Sequence, residues 1–118
     1  MFSKMKSNKK QRQPYIFEIK KDKKEYYDTR NFMFSLELNT PNPFKDRTEI
    51  KYIIPKNFIA NSKIEISDSL GKTVKIIDNL PTGIGKIILE NNFSTKGLYF
   101  YTLVINGIEV ATYTIILD

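Results

Sequence analysis

The stretch TPNPFKDRTEIKYIIPKN, residues 40–57, decides the fold class. It begins with Pro41 and Pro43, and proline lacks the N–H group that a central strand donates to its neighbour. Apolar and polar side chains then alternate over residues 47–54, with the period of two that a half-buried strand shows. The stretch therefore predicts a strand whose entry is fixed by two prolines, at a boundary in the chain. The side chains expected on its buried face are Ile50, Tyr52 and Ile54.

Strand patterns also occur on both sides of this stretch, and sustained helical periodicity does not. The other strand-like segments are 31–38, 62–67, 73–78, 86–90, 98–105 and 108–117, and 15–20 could form a further short strand. Asn106-Gly107 is typical of a two-residue hairpin turn, in which both residues need positive φ. Turns that recur every 8–12 residues are typical of sandwiches. The sequence predicts an all-β fold, an Ig-like antiparallel β-sandwich of six to seven strands with a flexible basic N-terminal arm.

Burial within these strands follows from the same alternation. In 31–38 the side chains expected to face the core are Phe32, Phe34, Leu36 and Leu38. Ile64 and Ile66 are expected to face it from the segment 62–67. The segment 98–105, LYFYTLVI, is almost entirely apolar or aromatic, which predicts a central strand buried on both faces.

The positive charge lies at the N-terminal end. Residues 1–30 carry ten Lys or Arg and four Asp or Glu, whereas residues 31–118 carry nine of each, so the first segment holds the whole net charge of +6. We therefore divide the chain into a basic arm or linker, partly disordered, at 1–30 and a β-sandwich module at 31–118. A solvated tail is the favoured interpretation of the arm. The alternative is an arm that binds nucleic acid or another acidic partner through Lys4, Lys6, Lys9, Lys10 and Arg12.

The composition excludes several kinds of chemistry. The chain has no His and no Cys, which excludes the common nucleophile–base pairs and the usual zinc sites. Its carboxylates are scattered and show no repeated ligand spacing. We expect no catalytic, cofactor-binding or metal-binding residues, and therefore no enzyme. LGKT at 70–73 is interpreted as a turn, because the first glycine of a phosphate-binding loop is replaced by Ile66.

Three motifs in order, ending near the C-terminus, resemble those of the type IX secretion system (Por-type) C-terminal sorting domain of Bacteroidetes. The first is a Pro-Asn-Pro-Phe opening, the second an Asp-x-x-Gly-Lys-x-Val turn and the third a Gly-x-Tyr strand start. The similarity covers roughly residues 36–118. The motif positions are Pro41, Asn42, Pro43, Phe44, Asp68, Gly71, Lys72, Gly97 and Tyr99.

This resemblance implies a non-catalytic recognition module that directs a passenger across the outer membrane to the cell surface, with a secretion translocon as its protein partner. The alternative is a structural or interaction module of a surface or virion assembly in Bacteroidetes or their phages. The resemblance implies a secreted or outer-membrane location. Because Met1 to Pro14 lack the apolar stretch of a signal peptide, the chain as written is expected to be cytoplasmic or virion-associated, without a membrane span. The edge of the segment 108–117 is a candidate partner surface, and the alternative is that this segment is simply the last strand of the core.

Overall fold

The computed structural model describes residues 18–19, 25–27, 32–58 and 60–118. These residues form nine strands and no helix. The strands are β1 (Glu18–Ile19), β2 (Glu25–Tyr27), β3 (Met33–Leu36), β4 (Arg47–Ile54), β5 (Ser62–Asp68), β6 (Thr73–Ile77), β7 (Gly83–Glu90), β8 (Gly97–Ile105) and β9 (Ile108–Leu117).

Two antiparallel sheets make up the molecule. One has the strand order β9-β8-β5-β6 and the other the order β1-β2-β3-β4-β7. Their inner faces contribute to one hydrophobic core, as in a β-sandwich. The predicted all-β antiparallel sandwich is confirmed, with nine described strands where the sequence indicated six to seven.

Alternating side chains from both sheets build the core. The strand β4 shows the expected period of two, and Ile50, Tyr52 and Ile54 are all buried. Ile64 and Ile66 on β5 are fully buried from the opposite sheet, as expected. The other fully buried large side chains are Phe34, Leu36, Phe44, Leu89, Tyr101, Leu103, Ile105 and Ile115.

The hairpin of β8 and β9 follows its predicted turn. Asn106 and Gly107 have φ of 50° and 84°, as a two-residue turn of this kind requires. The strand β8 lies between β9 and β5, which confirms its central position. Its predicted burial on both faces is wrong, because Leu98 is exposed and Phe100 only half-buried on the outer face.

The segment that follows β3 corrects a second prediction. The side chain of Leu38 is 57% exposed, although the alternation placed it in the core, and Asn39 is buried in its place. Glu37 N–H bonds the carbonyl of Lys51, whereas Thr40 exchanges hydrogen bonds with Glu49. Three steps along this segment therefore match two steps along β4. The extra residue inverts the alternation, as a β-bulge does.

The five-stranded sheet extends into the segment assigned to the basic arm. The strands β1 and β2 both belong to residues 1–30. Tyr26 on β2 is buried, and its hydroxyl hydrogen-bonds that of Tyr113 on β9, in the opposite sheet. The sequence analysis placed Tyr26 in the basic arm or linker and did not mark it as a core residue, so this contact was missed. Lys4, Lys6, Lys9, Lys10 and Arg12 lie outside the described residues, and the flexibility of the arm stays a prediction.

Candidate recognition site

The three sequence motifs meet at one end of the four-stranded sheet. Phe44 pairs with Leu117 of β9, and Leu117 pairs in turn with Gly97 of β8. Two residues further along β8, Tyr99 pairs with Asp68 of β5. The sheet thus places side by side residues that are up to 73 positions apart in the sequence, as Phe44 and Leu117 are. We call this group of motif positions the motif end of the sandwich.

The Pro-Asn-Pro-Phe segment covers part of the outer edge of β9. The side chain of Asn42 donates to the carbonyl of Thr114 (3.2 Å) and accepts from the N–H of Ile116 (2.9 Å). The N–H of Phe44 donates to the carbonyl of Ile116 (3.0 Å), and the N–H of Asp118 donates to the carbonyl of Phe44 (2.8 Å). These four bonds continue the ladder beyond the last strand. The peptide bonds before Pro41 and Pro43 are both cis.

The turn after β5 is held by the carboxylate of Asp68. One of its oxygens accepts from the N–H groups of Leu70 (3.0 Å) and Lys72 (2.9 Å). The backbone of Asp68 also bonds Gly71 N–H and the Lys72 carbonyl. Gly71 has φ of 87°, which non-glycine residues rarely adopt. The motif positions Asp68 and Gly71 thus fix the shape of the turn, whose tip is Leu70.

Tyr99 fixes the loop that precedes β8. Its hydroxyl donates to the carbonyl of Thr95 at 2.6 Å, and its ring packs on that of Phe93 with centroids 4.6 Å apart. The Tyr99 side chain is buried in the core. It therefore anchors both the loop and the strand that starts at Gly97.

The exposed surface of the motif end is apolar with a positive charge. Leu70 is 92% exposed at the turn tip, and Lys72 beside it is also exposed. Leu98 and Ile116 are register partners on the outer face of the sheet, and each is about two-fifths exposed. Exposed apolar side chains grouped in this way are typical of protein contact surfaces. Leu70 and Leu98 fill variable positions of the motifs and Ile116 lies outside them, so the sequence singled out none of the three.

A cavity of ≈ 360 Å³ opens beside the motif end, between the edges of the two sheets. The strands β6 and β7 form its sides. Its apolar lining residues are Val74, Ile88, Phe93 and Tyr99, and Lys75 and Glu90 also line it.

The described residues do not suggest a catalytic centre. No group of three or more Asp or Glu in the described part of the chain could hold a metal ion. The two marked pKa changes concern Tyr101 and Tyr113, and burial raises both pKa values above the ordinary range of tyrosine. Both hydroxyls bond groups within the sandwich, so these shifts have a structural cause. In the ranges that the structure describes, we find no helix with the length and hydropathy needed to cross a membrane.

The predicted partner edge of residues 108–117 is partly occupied. The strand β9 is the last in its sheet, but Asn42 and Phe44 cover its edge at residues 114–118. A shift of register between Glu109 and Ala111 further interrupts this strand.

One family model matches the chain. It is described as the secretion system C-terminal sorting domain, and it covers residues 40–117. No curated protein and no solved structure matches. The matched range contains all three sequence motifs and leaves out β1, β2 and β3.

Proposed function

The chain belongs to the family of secretion system C-terminal sorting domains, and we propose that its sandwich is the signal by which a type IX secretion machinery recognises an attached passenger. The domains of this family are sorting signals rather than catalysts, and they imply contact with the secretion machinery and a secreted or cell-surface location. The transport of a passenger by this chain is the proposal.

The meeting of the three motifs at one end of the four-stranded sheet is the observation that supports it. Most motif side chains hold strands and turns in place, so the motifs define a shape. The same end presents Leu70, Lys72, Leu98 and Ile116 to solvent. A partner can recognise a rigid surface of this kind by its shape, and this recognition requires no chemical reaction.

A secretion assay tests the proposal. The full 118-residue chain is fused behind a secretory leader and a reporter protein in a host that has the type IX system. We expect the reporter at the cell surface, as measured by its accessibility to added protease on intact cells. A reporter that stays in the periplasm would contradict the proposed function.

Paired surface variants locate the recognition site. Leu70→Ser changes the motif end, and Ile84→Ser changes a side chain that is almost equally exposed (87% against 92%) at the far end of β7. Neither substitution removes a buried group. We expect at least a several-fold loss of surface reporter for Leu70→Ser and none for Ile84→Ser. Equal secretion of both variants would exclude Leu70 from the recognition surface.

A further inference from the structure

In the part of the chain that the structure describes, β7 pairs on one side only, which leaves a free edge whose backbone groups can be assigned. In β4, Lys51 and Glu49 bond the segment on the β3 side. Because backbone groups alternate in direction along a strand, Ile50 and Tyr52 bond β7 through their register partners, Ile87 and Gly85. The N–H and C=O groups of the alternate residues therefore point away from the sheet. These residues are Ile84, Lys86, Ile88 and Glu90.

The edges of the four-stranded sheet are less open to pairing. The strand β6 has an extra residue, Val74, where its register with β5 shifts. Lys75 on β6 is the register partner of the buried Ile66, so it lies on the inner face at the edge. Bulges and inward-facing lysines are features that prevent strand addition. The edge of β9 is bulged and covered in part by Asn42 and Phe44.

In contrast, β7 is long and regular. All eight of its residues, Gly83–Glu90, pair with β4 without a shift of register. No backbone group of the described residues outside β4 bonds its free edge, except for Asn92 N–H, which bonds the carbonyl of Glu90 at 2.9 Å. A long, regular and partly apolar edge is a template for another strand.

The outer side chains of this edge form a self-complementary pattern. Consider two copies of this strand paired antiparallel with Ile88 at the centre. Each Lys86 then lies opposite Glu90 of the other strand, and the two Ile88 side chains lie opposite each other. We propose that two copies of this chain pair through β7 about a two-fold axis at Ile88, which joins their five-stranded sheets. This inference does not rest on the proposed function.

The charges around the edge permit this pairing. On the same outer face, Lys86 lies beside Lys51 and 3.8 Å from a carboxylate oxygen of Glu49, while Glu90 lies beside Arg47. The pair of Lys86 and Glu49 is solvent-exposed and close to the 4 Å limit for an ion pair, so it holds Lys86 only weakly. A dimer joined only along one edge buries little surface, and we therefore expect it to be weak and reversible.

Charge reversal tests the proposed register. The mass of the full chain is measured by sedimentation equilibrium over a range of concentrations up to the sub-millimolar. Lys86→Glu places two carboxylates opposite each other at both ends of the pair, and Glu90→Lys places two ammonium groups there. We expect each variant to raise the dimer dissociation constant about tenfold. The double variant Lys86→Glu/Glu90→Lys restores opposite charges and should restore the dimer.

Mixing the two single variants provides the sharpest test. In a mixed dimer, the chain with Lys86→Glu supplies two carboxylates and the chain with Glu90→Lys two ammonium groups, so every opposed pair is again of opposite sign. We expect the mixed dimer to form about as readily as the parent dimer, although each variant alone dimerises about tenfold more weakly. Ile88→Pro removes an edge N–H without breaking a bond to β4, and it should abolish pairing.

Circular dichroism of each variant confirms that the sandwich is intact. The proposal is overturned if the parent chain stays monomeric, if the single variants dimerise like the parent, or if their mixture does not associate. A dimer that persists in Ile88→Pro would place the interface elsewhere. The outcome of the secretion assay decides none of these points.

Discussion

At the scale of single residues, Asn42 extends a sheet through its side chain, since its amide bonds both Thr114 and Ile116. We predict that Asn42→Ala lowers the free energy of unfolding by about 1 kcal/mol, because two solvent-exposed hydrogen bonds are lost. Urea unfolding followed by circular dichroism measures this change. Asn92→Ala is the control, because the side chain of Asn92 bonds no described residue. Equal midpoints for both variants would contradict this role of Asn42.

Gly85 is required for space rather than for backbone conformation. A Cβ atom at this position would collide with the ring of Tyr52, its register partner on β4. We predict that Gly85→Ala costs about 1–3 kcal/mol, as overpacking does. In a Tyr52→Val background the same substitution should cost much less, because the obstructing ring is gone. Unfolding midpoints of the parent, the two single variants and the double variant give the coupling between positions 52 and 85. Additive effects of the two substitutions would exclude the collision.

At the scale of elements, the turn after β5 depends on one carboxylate. Asp68→Ala removes the acceptor for the N–H groups of Leu70 and Lys72, so we predict a loss of about 1–2 kcal/mol. Asp68→Asn keeps a carbonyl oxygen at the same place and should retain most of the stability. Chemical denaturation of both variants tests this. A larger loss for Asp68→Asn than for Asp68→Ala would show that the side-chain acceptor does not hold the turn.

The elements also show what the sequence can predict. The alternation in β4 and β5 and the Asn106-Gly107 turn are local signals, and the structure confirms them. The position of Leu38 depended on an extra residue opposite β4, which no local pattern marks. The edge contacts of Asn42 join residues 72 or more positions apart, so the motif was visible in the sequence but its partner strand was not.

At the scale of the whole molecule, Tyr101 joins the two sheets, because its hydroxyl donates to the carbonyl of Glu37 at 2.7 Å. Burial raises the pKa of Tyr101 well above its usual value. The contribution of the protonated Tyr101 hydroxyl to the free energy of unfolding is therefore complete below the unfolded pKa of about 10. It is lost as the pH rises above that value, and the free energy of unfolding then falls by up to about 1.4 kcal/mol per pH unit.

We predict that the free energy of unfolding falls steeply above about pH 10 in the parent chain, where unfolded tyrosines ionise. Tyr101→Phe should be less stable at pH 7, by about 1 kcal/mol for the lost hydrogen bond, yet fall less steeply at alkaline pH. Urea unfolding at several pH values measures both effects. If the stability of the two proteins falls in parallel with pH, the raised pKa of Tyr101 does not cause the alkaline loss of stability.

The folded unit is larger than the segment that the family model matches. A chain that starts at residue 40 lacks β1, β2 and β3, and β4 and β7 alone would then face the four-stranded sheet. The missing strands include Phe34 and Leu36, both fully buried, and Tyr26, which bonds the opposite sheet. Removing such side chains costs about 2–5 kcal/mol each, which together approaches the whole stability of a small domain.

We therefore predict that residues 40–118 alone do not fold cooperatively, whereas the full-length chain does. Thermal unfolding followed by near-ultraviolet circular dichroism distinguishes the two, because the buried tyrosines give a signal only in a packed core. If residues 40–118 show the midpoint of the full chain, the upstream strands are accessory. If they do not, the folded unit of this sorting domain includes residues before the Pro-Asn-Pro-Phe motif, and fusions for secretion assays must retain them.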